Sequence, residues 1–256
     1  MTKKYNRTKV FTKEGILLPI EERTFITNEG YSAVIIDGGS KPSYVTIQIE
    51  DYVFEMVLSH VKRGGVRYPF HPSVFNKGYL GIGAHKANEN NKKTKAYDTW
   101  KNMLKRSYDS KFHIKQPTYK DVEVCEEWLN FQTFSKWFEQ SNYQNGWELD
   151  KDLLSVDNKI YSPETCLFIP QALNKFLSNS NSANTSGYTG VSWAKHINKW
   201  RVFIQSVETG EGTYLGCFID IEEAGEAYKV ARVINCNIWR ERMSNILPYT
   251  VINNIN

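Results

Sequence analysis

The period of the hydrophobic pattern changes several times along this chain, and each change limits the folds that the chain can form. Residues 24–68 alternate between apolar and polar side chains, which is typical of half-buried strands. Residues 95–109 and 124–141 instead repeat large apolar side chains every three to four positions, as amphipathic helices do. The sequence therefore predicts a multidomain α+β protein whose first part is a small antiparallel β module.

A boundary late in the chain is marked by composition. The chain has 256 residues, enough for about two domains. The stretch SNSNSANTS contains only small and polar residues and separates two aromatic-rich segments, which predicts a flexible linker. The predicted organisation is, in chain order, a β-rich module, a helical segment with a ββα unit, the linker, a C-terminal module and a tail, at 1–85, 86–177, 178–186, 187–242 and 243–256.

The cysteines and the absence of long apolar runs predict the cellular compartment. Cys125, Cys166, Cys217 and Cys236 are widely spaced and form no Cys-x-x-Cys pair, so we expect free thiols in a reducing compartment. The sequence contains no apolar run of the roughly 18 residues that a membrane span needs. These features predict a cytoplasmic protein without a membrane partner.

The net charge of +4 is small, but its distribution is uneven. Residues 83–120 hold ten basic and three acidic side chains, with tyrosine and tryptophan between them. Lys101, Lys105 and Arg106 lie within this block. A basic, aromatic segment is typical of a surface that follows nucleic-acid phosphates. The alternative is an ordinary solvated helix face.

Residues 147–177 carry the one pattern with catalytic potential. WELD predicts a short strand, SVDNK a loop and CLFI a second strand. Pro170 suits the first turn of a helix that continues as QALNKFL. Strand, loop, strand and helix form the ββα-metal arrangement, in which a carboxylate that ends the first strand and a helix side chain converge on one divalent cation.

This segment resembles the HNH endonucleases, particularly those of phages, and the resemblance covers roughly residues 78–177. It implies that Asp150 and Asn174 are ligands of Mg²⁺ or Mn²⁺, and that Asn158 is the catalytic-loop asparagine. The family's histidine is replaced by Lys151. Because the ordinary pKa of lysine is about 10.4, we expect Lys151 to contact phosphate rather than to accept a proton. His113, in the basic block, is a candidate for the missing base.

The C-terminal module reads as three strands followed by a helix. Turns at 196–198 and 208–210 separate the strands, and the helix starts at about residue 221. Trp200, Val202 and Ile204 alternate along the middle strand, so they face the helix while Arg201, Phe203 and Gln205 face the other way.

This module resembles the Apetala-two/ERF DNA-binding domain, which phage and bacterial homing endonucleases also carry. The matching residues include Tyr188, Gly190, Trp200, Gly216 and Tyr228. The resemblance implies that the sheet enters the major groove of DNA, with contacts from Ser192, Ala194, Lys199, Arg201, Gln205 and Tyr214. Lys195 adds to the same basic face, whereas the helix begins with Asp220, Glu222 and Glu223.

Together these features predict a DNA-binding, metal-dependent endonuclease or nickase of the HNH, homing type, whose partner is double-stranded DNA. If the chain is phage-encoded, its location is the host cytoplasm. Two alternatives stay open. One is a catalytically inactive DNA-binding regulator, and the other is a protein-interaction antagonist of a host factor. The sequence leaves open the target site, the outcome on each strand and the oligomeric state.

Overall fold

The computed structural model describes residue 12 and residues 16–155, 157–178 and 186–255. The chain forms two compact units, the first ending at residue 84 and also including 130–132, the second made of the remainder. Helices and small sheets alternate, which confirms the predicted α+β class. Most of the predicted linker, 178–186, lies outside the described residues.

The first unit contains one antiparallel sheet with strands in sequence order. Its elements are α1 (Ile20–Arg23), β1 (Thr24–Ile26), β2 (Ser32–Gly38), β3 (Tyr44–Ile49), β4 (Tyr52–Val57) and α2 (Leu58–Val61). The buried residues alternate along the strands, with Ala33 and Ile35 on β2 and Val45, Ile47 and Ile49 on β3. This period of two is the reason that the sequence pattern predicts a sheet here.

In the second unit short strands and helices alternate along the chain. Its first part comprises β5 (Asn88–Glu89), β6 (Lys92–Lys93), α3 (Lys95–Tyr108), α4 (Ser110–Lys115), a 3₁₀ turn (Pro117–Tyr119), β7 (Glu123–Val124) and α5 (Glu126–Leu129). The chain then forms α6 (Phe131–Gln140), β8 (Trp147–Asp150), β9 (Ile160–Tyr161), β10 (Leu167–Pro170) and α7 (Gln171–Leu177). The last elements are β11 (Val191–Ala194), β12 (Lys199–Gln205), β13 (Gly212–Phe218), α8 (Ile221–Met243) and α9 (Tyr249–Ile252).

Aromatic side chains form the core around α3, as the helical stripe predicts. Trp100 and Leu104 on α3 and Trp128 on α5 have no exposed surface. The indole N–H of Trp100 donates to the backbone carbonyl of Trp128 at 2.7 Å, which satisfies a buried polar group. The continuous helix expected over 124–141 is wrong, because Asn130 separates α5 from α6. The Asn130 side chain accepts from the backbone N–H of Gln132, a local bond that competes with helix continuation.

Strands β8 and β10 pair antiparallel, and α7 follows β10 without a connecting loop. Asp150 lies opposite Leu167, so the end of β8 is adjacent to the start of β10. The intervening β9 pairs in parallel with β7, which fixes Tyr161 opposite Val124. Two antiparallel strands and a helix therefore occupy the segment in which the sequence predicts a ββα unit.

The C-terminal sheet has the order β11-β12-β13, and α8 packs on one face of it. Val202 and Ile204 are buried against Ala224 and Tyr228 of α8, as the alternation along β12 predicts. The backbone at Gly190 lies close to α8, because a Cβ atom at this position would be 2.4 Å from the Tyr228 ring. Gly190 also has a φ of 73°, a conformation that favours glycine.

Helix α8 extends beyond this module and contributes its second half to another core. Trp239 and Met243 are buried in one cluster with Phe176 of α7, Ile169 of β10 and Val207, which lies in the β12–β13 turn. The C-terminal residues join the same cluster. The second half of α8 and the β12–β13 turn thus share a hydrophobic core with the β8–β10–α7 segment.

Hydrogen bonds reinforce this shared core. Arg242 donates to the Val207 carbonyl at 2.9 Å, and Asn235 donates to the Gln205 carbonyl at 2.9 Å. Asn254 donates to the Leu153 carbonyl at 2.9 Å, which ties the C-terminal segment to the loop that follows β8.

Among the helices of the described residues, none is long and apolar enough to cross a membrane.

We predict that Trp239→Ala lowers the free energy of unfolding by about 3–5 kcal/mol, because it removes a large side chain from the shared core. Val233 lies on the same helix but is 60% exposed, so Val233→Ala should change stability by less than about 0.5 kcal/mol. Urea unfolding followed by circular dichroism measures both. A loss below about 1 kcal/mol for Trp239→Ala would contradict the importance of this core.

Candidate active site

A cavity of about 510 Å³ lies where α3, β8, β9 and α7 meet. Asp150, Lys151 and Asn174, all predicted site residues, line this cavity. Arg106 and Tyr161 line it as well. The structure therefore brings Arg106 and Asn174, which are 68 positions apart in the sequence, into the lining of one cavity.

Asp150 ends β8 and caps the turn that follows. Its Oδ1 accepts from the backbone N–H groups of Asp152 at 3.1 Å and Leu153 at 2.7 Å. Burial raises the pKa of Asp150 above its ordinary value, and these two N–H donors partly oppose the rise. In the described part of the chain Oδ2 has no hydrogen-bond donor, so this oxygen is available to a ligand.

Asn174 lies on α7, facing β8. Its Nδ2 donates to Oε2 of Glu148 at 2.8 Å, and Oε1 of Glu148 accepts from Nε2 of Gln171 at 2.9 Å. Glu148 and Asp150 are two positions apart on β8 and therefore share a face of the strand. The sequence analysis missed Glu148, although this period of two could have identified it.

The donor set fits a magnesium-type cation rather than zinc. The Asp150 carboxylate and the Asn174 amide supply oxygen atoms, which Mg²⁺ and Mn²⁺ prefer, and Mg²⁺ sites in proteins commonly use few protein ligands and several waters. Among the described residues no cluster of three or more histidine, cysteine, aspartate or glutamate side chains could hold a metal. A site here would therefore depend on water and substrate oxygens for its remaining ligands.

Lys151 and Asn158 brace the loop between β8 and β9. The Lys151 ammonium donates to the Asp152 carboxylate and, at 2.7 Å, to the Asn158 carbonyl. In return, Nδ2 of Asn158 donates to the carbonyls of Lys151 and Ile160, and its Oδ1 accepts from the N–H of Ile160. The predicted phosphate contact of Lys151 and catalytic role of Asn158 stay predictions, and both side chains already have partners inside the loop.

Arg106 lies in the cavity rather than on an open surface. Its guanidinium and the Tyr161 hydroxyl both line the cavity. Burial lowers the pKa of Arg106, but Tyr161, Tyr119 and Glu148 raise it by more, so the side chain stays charged. Burial also raises the pKa of Tyr161, so this phenol stays protonated. Sequence reasoning missed Tyr161 because a tyrosine in a two-residue strand carries no distinctive signal.

The other basic residues predicted on α3 lie outside the cavity. Lys105 is exposed, and its ammonium lies 5.8 Å from the centre of the Phe112 ring. Lys101 is half-buried. His113, considered as a base, places Nε2 2.8 Å from the backbone carbonyl of Arg106 and is not among the residues that line the cavity.

The face of the C-terminal sheet opposite α8 carries most of the predicted DNA contacts. Ser192 lies opposite Arg201, and Phe203 lies opposite Tyr214 with ring centroids 5.3 Å apart. The Arg201 guanidinium lies 6.0 Å from the centre of the Phe203 ring, and Nε of Arg201 is buried without a hydrogen-bond partner in the described residues. Phe203 and Tyr214 are both exposed, at 39% and 55%, so this face presents an arginine beside an aromatic pair.

The remaining residues predicted on this face differ in exposure. Lys195 and Lys199 are exposed, in agreement with a basic surface. The Gln205 side chain already has one hydrogen bond within the protein, because its Nε2 donates to the Gly210 carbonyl at 3.1 Å. Ala194 is only 2% exposed, so little of its side chain is available for the predicted contact with DNA. The acidic helix start has a structural use, since Asp220 caps α8 by accepting from two backbone N–H groups.

The chain matches no protein-family model, no curated protein and no solved structure. The two family resemblances therefore stay expectations.

We predict that Asn158→Ala destabilises the protein by about 1–3 kcal/mol, because three hydrogen bonds to backbone groups of the loop are lost together. Asn102 is an exposed asparagine on α3, and Asn102→Ala should change stability by less than about 0.5 kcal/mol. Thermal and urea unfolding compare the two variants. Equal stability of both would show that the amide of Asn158 does not hold the loop.

Proposed function

We propose that this chain binds double-stranded DNA and hydrolyses phosphodiester bonds in the Asp150–Asn174 cavity with Mg²⁺ or Mn²⁺, as an HNH-type endonuclease or nickase. One observation carries the proposal. A carboxylate at a strand end, an amide on the following helix and an arginine line the same cavity. These are the groups needed to hold a hard cation and to bind an anionic phosphate.

Each of these groups has a distinct part in the proposed reaction. Asp150 and Asn174 would hold the cation. When bound, the cation would stabilise the negative charge that develops on the phosphate. Arg106 binds a phosphate oxygen, because a guanidinium donates several hydrogen bonds in a fixed plane.

A second candidate function, DNA binding without cleavage, is favoured by a specific observation. Neither this cavity nor the neighbouring cavity, of about 360 Å³ beside Lys151 and Asn158, includes a histidine among its lining residues. Histidine is the usual proton acceptor near neutral pH, and a positioned base contributes about 10²–10⁴ in rate. An active enzyme of this kind should therefore be slow, and its rate should rise with pH as hydroxide replaces the base.

The sheet face supports the DNA-binding part of the proposal. Lys195, Lys199 and Arg201 give it positive charge, and Phe203 and Tyr214 give it exposed rings. A basic face is typical of a surface that contacts nucleic acid. Because one half of α8 packs on the sheet and the other half on the cavity-bearing segment, we expect cleavage at a constant distance from the bases that the sheet contacts.

We expect the protein to nick supercoiled plasmid slowly in Mg²⁺ or Mn²⁺, and Asp150→Ala to reduce the rate at least about 100-fold by removing a cation ligand. Asp121 is an exposed carboxylate that lines neither cavity, so Asp121→Ala should cleave like the natural protein. Gel assays over a pH series measure these rates after the variants have been checked for folding.

Two outcomes would contradict the nuclease proposal. If Asp150→Ala nicks as fast as the natural protein, the activity lies elsewhere. If the natural protein binds DNA but nicks at no pH with either cation, the non-catalytic function is correct.

We expect DNA affinity to fall with salt, with a slope of log K against log salt near about −5 if roughly six phosphates are contacted. Arg201→Ala should weaken binding by about 1–3 kcal/mol if the guanidinium contacts a base. Lys229 lies on α8, away from the sheet face, and pairs with Glu226, so Lys229→Ala is the matched control and should bind normally. Fluorescence anisotropy measures both. Absence of binding even at low salt would favour the protein-interaction alternative.

A further inference from the structure

Glu148 makes a paired contact between β8 and α7. Its two carboxylate oxygens accept from different amides, Oε1 from Gln171 at 2.9 Å and Oε2 from Asn174 at 2.8 Å. The two amides are three positions apart, on neighbouring turns of one face of α7. A charged acceptor strengthens such bonds to about twice the strength of neutral ones. The side chains of Gln171 and Asn174 are therefore held in one orientation against the strand.

The contact fixes which end of the Asn174 amide faces Glu148. A carboxylate accepts hydrogen bonds and donates none, so it binds the NH₂ group and repels the amide oxygen. With Nδ2 directed at Glu148, Oδ1 is directed away from it. Oδ1 receives no hydrogen bond from any described residue, and Asn174 lines the same cavity as Asp150.

We propose that Glu148 is a positioning residue that orients the Asn174 amide so that its oxygen, together with Asp150, serves as a cation ligand. This inference rests on the proposed function, because it assumes that the cavity binds Mg²⁺ or Mn²⁺. It goes further by giving a role to a residue that does not itself touch the cation. Partners of this kind commonly change metal affinity about 10–100-fold when they are removed.

The test compares two neutral replacements of Glu148 in the full chain, with binding of Mn²⁺ measured by the electron paramagnetic resonance signal of the free ion. Glu148→Gln and Glu148→Ala remove the same negative charge, but only glutamine keeps an oxygen that can accept from Asn174. We expect Glu148→Ala to bind Mn²⁺ about 10-fold more weakly than Glu148→Gln. Gln171→Ala removes the other partner of Glu148 and should bind Mn²⁺ within about twofold of the natural protein.

A second pair of variants separates orientation from a general loosening of the strand and helix. In an Asn174→Asp background, either carboxylate oxygen can bind the cation, so orientation no longer matters. There, Glu148→Ala and Glu148→Gln should bind Mn²⁺ equally within about twofold. If the helix were merely displaced, the 10-fold difference would persist in this background.

The outcomes distinguish this inference from the function on which it rests. If the natural protein binds no Mn²⁺, both are wrong. If it binds Mn²⁺ and the alanine and glutamine variants do so equally in the natural background, only the role of Glu148 is wrong. If the two variants differ in Mn²⁺ affinity by the same factor in both backgrounds, the proposed role of Glu148 is also wrong. Circular dichroism confirms folding, and if Glu148→Ala does not fold, Glu148→Thr replaces it as a neutral side chain too short to reach Asn174.

Discussion

Burial of the second half of α8 is the interaction on which the arrangement of the second unit depends. The helix has 23 residues, and its two halves pack in different cores. Ala224 and Tyr228 pack on the C-terminal sheet, whereas Trp239 and Met243 pack with Phe176 of α7. At 1.5 Å per residue, Tyr228 and Trp239 are about 16 Å apart along the axis. Because a helix of this length is stiff and both halves are buried, the sheet and the segment that bears the cavity are held at a set separation.

The same core supports the cavity. Leu153 and Leu173 are buried within it, next to residues that line the cavity in the loop after β8 and on α7. Asp150 caps that loop, and Lys151 and Asn158 close it through reciprocal hydrogen bonds. Asp150, Lys151 and Asn158 thereby have hydrogen-bond partners within the loop, as polar groups withdrawn from water require. Two cationic side chains line the cavity, Arg106 and Lys151. Lys151 forms an ion pair with Asp152, whereas Arg106 forms no ion pair with a carboxylate of the described residues.

Charge is divided between the two proposed surfaces in a way that suits their roles. The sheet face has basic and aromatic side chains, whereas the acidic residues at the start of α8 cap the helix on the other side of the module. In the cavity, positive and negative groups are instead close together, as cation and phosphate binding both require. The proposed DNA-binding face and the proposed site of phosphodiester hydrolysis are therefore separate, and α8 connects them.

The sequence alone determined the elements that depend on local pattern. Alternation predicted the N-terminal sheet and the inward-facing Val202 and Ile204, and helical spacing predicted the aromatic core of α3. It also placed Asp150 at a strand end and Asn174 on the next helix, because the lengths of adjacent strands and helices follow from periodicity. Only the tertiary structure decided the contacts between distant segments. Which faces meet when the chain folds is not encoded in any local pattern. This choice decides the position of Arg106 in the cavity, the pairing of Glu148 with Asn174 and the second core of α8.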